Sequence, residues 1–169
     1  MPKSANSSSD QPYPHHGDGA AGLSHDYLNH YNEVLMLIEL SGHDSSLNGA
    51  LLDWCPLGYV EYFASSRWAG ASQARAAYEE LPPEARRCFE RLLATMETLA
   101  TIAVFALQPP CEPMRAAVVV DATAPVLRRL ISSASRFLNS GGHELPEEAA
   151  VSDAQTAIST ILSRDSDRA

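Results

Sequence analysis

Two proline-bounded stretches of helical periodicity, joined by a proline-broken turn, constrain this chain more than anything else in it. From Pro82 to about residue 107, apolar residues recur at the spacing of one helical face: Phe89, Leu92, Met96, Leu99, Ala103 and Ala106, broadened by Leu93, Ala100 and Leu107. Pro82-Pro83 opens the stretch, where a missing backbone N–H would lack a partner anyway, and Glu84 suits the positive helix start. Gln108-Pro109-Pro110 stops it. A second stretch, about 113–139, carries Met114, Val118, Ala122, Leu127, Leu130, Ile131, Ala134, Phe137 and Leu138, and ends at Ser140-Gly141-Gly142. The spacing predicts a long antiparallel helical hairpin. Pro125 removes a donor inside the second arm and crowds the carbonyl of Asp121, so a kink or break is expected there, with Asp121 or Thr123 capping the resumed helix. Val118-Val119-Val120 has strand character, but the chain offers no second strand-like run to pair with it.

The remaining segments read as accessories to that hairpin. Residues 1–22 are rich in Ser, Pro, Gly and Asp and are expected to form a disordered tail, with His15-His16 solvated rather than metal-bound. A single helical domain is expected over 23–164, followed by a frayed C-terminus over 165–169. Its first helix starts at the N-cap Ser24 and runs to about Leu40. Tyr27, Leu28, Tyr31, Val34, Leu35 and Ile38 share one face, and Met36, Leu37 and Leu40 extend the apolar surface, so its later half is expected to be buried on two sides. Short helices are expected over 47–54, 57–68 and 72–80, and a last one from Glu147 to about Ser163, with Ala150, Ala154, Ala157, Ile158, Ile161 and Leu162 as its stripe. The predicted class is all-α: an irregular helical bundle on a hairpin of about 82–107 and 113–139.

Composition narrows the function. The 169 residues carry a net charge of -9, which argues against non-specific attraction to nucleic-acid phosphate. Arginine outnumbers lysine eleven to one, as in proteins from GC-rich bacterial genomes. Cys55, Cys88 and Cys111 form no close pair, which fits a reducing cytoplasm. No apolar run approaches the roughly 18 residues of a membrane span, and the N-terminus lacks an apolar signal core.

Ser24-His25-Asp26-Tyr27-Leu28-Asn29 sets a histidine, an adjacent acid and an asparagine four residues on at the start of the first helix. This resembles the His-Asp-x-x-Asn phosphoacceptor box of dimerising histidine kinases and helical phosphotransferases. By that resemblance His25 accepts a phosphoryl group, Asp26 orients the ring or holds its proton, and Asn29 hydrogen-bonds near the site. Nothing resembles an ATP-binding domain, so the implied role is relay. The plainer reading is a helix start, with Ser24 as cap and Asp26 serving the dipole. Asp26, His30 and Glu33 share a helical face, but the paired Glu-x-x-His pattern of a di-iron bundle is missing.

In a hairpin turning near residue 110, position 91 lies level with about 130. That places Arg86, Arg87 and Arg91 at the same end as Arg128, Arg129 and Arg136, a set suited to an acidic protein surface or a phosphate. Glu79, Glu80, Glu84 and Glu90 are the expected neutralising partners. Trp54, Tyr59, Tyr62, Phe63 and Trp68 form an aromatic set that serves either a core or an interface, with Trp54, Tyr62 and Trp68 as partner-binding candidates. Residues 154–162 resemble the short helices with which flagellar switch and phosphatase proteins grip a chemotaxis receiver. The expected function is a small, non-enzymatic, cytoplasmic interaction or accessory protein with a protein partner or as a homodimer, and with no nucleic acid, membrane, metal or cofactor. The alternatives are phosphotransfer or receiver binding through His25, and small-molecule sensing in a pocket between the hairpin and the first helix.

Overall fold

A computed structural model describes residues 22–41 and 48–166. The tail before residue 22, His15-His16, Gly42 and the last three residues lie outside that range. A 3-10 turn (His25–Tyr27) leads into α1 (Leu28–Ser41), followed by α2 (Asn48–Asp53), α3 (Tyr59–Ser65), α4 (Ala71–Glu79), α5 (Pro83–Ala106), α6 (Pro113–Asn139) and α7 (Glu148–Ser166). Among the described residues there is no strand, and 118–120 is helical.

The hairpin forms as its punctuation dictates. Pro83 and Pro113 each occupy a first helical position after an extended residue, Pro82 and Glu112. At the other end of α6 the Gly142 N–H donates to the Phe137 carbonyl at 2.9 Å and the Gly141 N–H to that of Leu138 at 3.1 Å, a Schellman stop. Both glycines have positive φ (63° and 87°), and a Cβ at Gly142 would lie 2.4 Å from Leu81 Cδ2. No other residue fits there without strain. Phe89 of α5 stacks flat on Phe137 of α6, centroids 4.5 Å apart.

Packing directions follow from the cross-helix contacts. Glu39 pairs with Arg128, and His25 faces Ser135, so α1 runs antiparallel to α6. Arg129 meets Asp153, and the groove beyond it brings Val118 and Ala122 beside Thr156 and Thr160, so α7 does the same. Both α1 and α7 pack on both arms of the hairpin with little or no contact between them, so they cover its opposite faces. α6 is thus antiparallel to all three long neighbours. It buries Ala116, Val119, Thr123, Val126, Leu127, Leu130, Ala134 and Phe137, among others.

Four expectations need correction. α6 is continuous through Pro125, and no cap at Asp121 or Thr123 interrupts it. Pro125 is exposed while Ala124 and Val126 on either side are buried, so neighbours hold the helix together and solvent reaches the side where one hydrogen bond is lost. Met114 is 79% exposed, and the first half of α6 buries Ala116, Val119 and Thr123 instead. Met36 and Leu40 are also exposed, whereas Leu37 is buried. The outer side of α1 faces solvent because α7 packs on the far face of the hairpin. The last helix runs three residues beyond Ser163, to Ser166.

Phe137 is fully buried and Phe105 is 70% exposed. Phe137→Ala is therefore expected to lower the unfolding free energy by about 3–5 kcal/mol. Phe105→Ala should stay within about 0.5 kcal/mol of wild type. Urea denaturation compares them, and a Phe137→Ala midpoint equal to that of Phe105→Ala contradicts the stacking described.

Candidate functional site

The aromatic residues gather at the open end of the hairpin. Tyr59 stacks on Tyr78 at 5.1 Å and meets Tyr27 edge-on at 5.2 Å, and both Tyr59 and Tyr78 abut Phe89, at 5.9 and 6.4 Å. The cluster thus fastens α3, α4 and the start of α1 to the base of α5. Its hydroxyls are used internally. Tyr27 donates to the Leu57 carbonyl at 2.9 Å, Tyr78 donates to Glu90 Oε1 at 2.8 Å, and Tyr59 accepts from the Ser24 N–H at 2.8 Å. Burial pushes the Tyr59 phenol up to about 12 and raises Tyr27, Tyr31 and Tyr78 as well.

Of the aromatic candidates, Trp54 is buried, Tyr62 is half-buried against Tyr27 and Phe63, and Trp68 is 46% exposed. A Cβ at Gly70 would meet the Trp68 indole at 2.4 Å, so that ring lies over the glycine. Trp54 therefore belongs to the core, Tyr62 packs at its edge with part of its ring open to solvent, and Trp68 is the most exposed of the three.

Ser24 caps the first turn, its Oγ accepting from the Asp26 N–H at 3.3 Å. His25 lies in the 3-10 turn rather than in α1. Its Nδ1 is 3.4 Å from Ser135 Oγ, and its Nε2 is buried without a hydrogen-bond partner among the described residues. Asp26 and Asn29 are exposed. The box is thus held in the crease between the 3-10 turn and α6, with both imidazole nitrogens turned inward. His30 leaves the face of Asp26 and Glu33 to stack on Trp54, centroids 5.0 Å apart, while the Trp54 indole N–H donates to the His30 carbonyl at 3.2 Å. The three residues do not converge on a metal position.

The six arginines do not share one surface. Arg86 donates to the Glu79 carbonyl and lies 5.6 Å from the Tyr78 ring centroid. Arg128 pairs with Glu39, Arg129 with Asp153 at 2.9 Å, and Arg136 with Glu144 at 3.3 Å and Glu147 at 2.8 Å. Arg136 adjoins Phe137 and so lies near the level of Phe89, whereas Arg128 and Arg129 sit about two turns earlier in α6, toward the closed end. Arg128, Arg129 and Arg136 are neutralised by α1, α7 and the segment before α7 rather than by Glu79, Glu80, Glu84 and Glu90, and Arg86 meets the Glu79 backbone carbonyl, not its carboxylate. Hairpin register sets the height of each residue, while the rotation of α6 sends each guanidinium to a different neighbour. Arg87 and Arg91 are exposed and make no ion pair among the described residues. Arg91 donates only to Cys88 Sγ, at 3.8 Å.

α7 buries Ala150, Ala154, Ala157, Ile158 and Ile161 against its own hairpin, leaving Leu162 exposed. At the closed end lie Phe105, which sequence reasoning passed over, and Met114, which it placed in the α6 stripe. Phe105 is 70% and Met114 79% exposed, one on each side of the turn. The available signal was an aromatic residue lying off the apolar stripe of α5. No family model, curated protein or solved structure matches the chain.

Burial lowers the His30 pKa, against smaller opposing effects of the Cys55 backbone and Glu33. The unfolded imidazole titrates near 6.5, so between that value and the lower folded one the native state binds fewer protons. This stabilisation is complete above the ordinary value and is lost as pH falls through the window. Wild type should lose more of its urea midpoint between pH 7.5 and 5.5 than His30→Gln does. Equal losses would place the ring in solvent.

Proposed function

We propose that this is a non-enzymatic accessory protein that docks a partner protein through the closed end of its hairpin. One observation carries the reading: Phe105 and Met114 stand out from that end at 70% and 79% exposure, the most exposed large hydrophobic side chains among the described residues. Water-facing aromatic and methionine side chains cost hydration free energy that a binding partner recovers, and aromatics dominate interface hot spots. The end of a helical hairpin is convex, so the complementary surface is a concave apolar pocket on another protein. The two side chains together offer roughly 300 Å², well below the ~800 Å² per partner of a stable interface. No disulfide links Cys55, Cys88 and Cys111 to one another, consistent with a reducing, cytoplasmic setting for such a partner.

A photo-reactive phenylalanine analogue at position 105 should yield a discrete cross-linked adduct in the native cytoplasm. The partner so identified should be captured by wild type and by Arg128→Ala/Arg129→Ala, and lost by Phe105→Asp/Met114→Asp at unchanged melting temperature. Equal capture by the Phe105/Met114 variant would move the docking surface elsewhere.

A further inference from the structure

At the opposite end of α5, between that helix and the first turns of α7, lies a cleft of about 440 Å³. This volume falls in the range of about 300–1,000 Å³ typical of small-molecule sites. Cys88, Pro146 and Val151 line it with apolar surface, and Arg91, Ser152 and Gln155 supply polar groups. Two carboxylates of this neighbourhood are engaged elsewhere. Glu90 accepts from the Tyr78 hydroxyl at 2.8 Å, and Glu147 from Arg136 at 2.8 Å. Glu148 lines the same cleft but belongs to the first turn of α7, where the helix dipole favours its charge. Arg87, one turn before Arg91, borders an adjoining hollow of about 630 Å³ that shares Cys88 and Arg91, with Glu84 on its edge.

We propose that this cleft binds a small organic carboxylate: one anionic head on a short apolar body. The head lies against the Arg91 guanidinium, whose planar fork suits a carboxylate, and the body covers Cys88, Pro146 and Val151. An ammonium head would be repelled by Arg91, and a neutral head would strip the guanidinium of water without replacing it. The chain's net charge of -9 opposes the approach of an anion. At about 0.1 M salt that opposition is screened beyond roughly 10 Å, so the local guanidinium decides. The site is separate from Phe105 and Met114 and stands or falls independently of the docking surface.

The test is titration of isotope-labelled protein with hexanoate, hexylamine and hexanol at about 0.1 M salt, followed by amide NMR. Hexanoate should give saturable shifts at residues 88, 91, 151, 152 and 155. Hexylamine and hexanol should bind at least about tenfold more weakly, the loss of one charge-assisted contact. Arg91→Ala should weaken hexanoate by about tenfold or more at unchanged melting temperature, while Arg91→Lys should retain part of the affinity. No saturable shift with hexanoate, equal affinity for hexylamine, or unchanged affinity in Arg91→Ala overturns the proposal.

Discussion

Burial of α6 on three sides is the constraint on which the other elements depend. A helix that is apolar toward α1, α5 and α7 at once cannot shed its hydrophobic surface with any one of them alone. The twelve buried side chains of α6 run from Ala116 to Leu138, nearly its full length, so loss of one neighbour would expose a long strip rather than a patch. Its antiparallel relation to all three neighbours also sets its dipole against theirs, a modest gain that agrees in direction with the packing. Pro125 is tolerated in this helix because it lies on the exposed side, at the edge of the groove toward α7.

Charge and aromatic residues then divide the work along the hairpin. At the open end, Phe89, Phe137 and the tyrosines bind the short helices to the long ones, with phenol oxygens satisfied by backbone and carboxylate partners. Along the sides, Arg128, Arg129 and Arg136 tie α6 to α1, α7 and the segment before α7. Their side chains are about half exposed, so each pair contributes little individually, within ~1 kcal/mol, and orients more than it stabilises. The two extremities carry the exposed candidates: apolar side chains at the closed end, and the uncommitted guanidinium of Arg91 near the other.

The hairpin was legible because proline, glycine and a single clean stripe agree on its bounds. Every stripe residue named on α5 is buried, and α6 begins and ends where Pro113 and Gly141 put it. The first half of α6 misled because a one-stripe reading assumes one buried face. With three neighbours the contact surface spreads around the helix, and Val119 and Thr123 enter the core while Met114 does not. Met36 and Leu40 misled for the opposite reason: an apolar surface on both sides of α1 does not say how many neighbours exist. The candidate surface suffered from the same limit. Spacing gives the height of an arginine along a hairpin but not the direction in which it points. The stacking of His30 on Trp54 joins positions 24 residues apart across a short helix, and no local pattern encodes it.

The most direct test is native-state hydrogen exchange resolved by residue. If α6 is the spine, its amides over 126–138 should exchange only through global unfolding, with protection equal to the total unfolding free energy, while α2 and the 3-10 turn open first. Exchange of those α6 amides as fast as that of α2 would contradict the account.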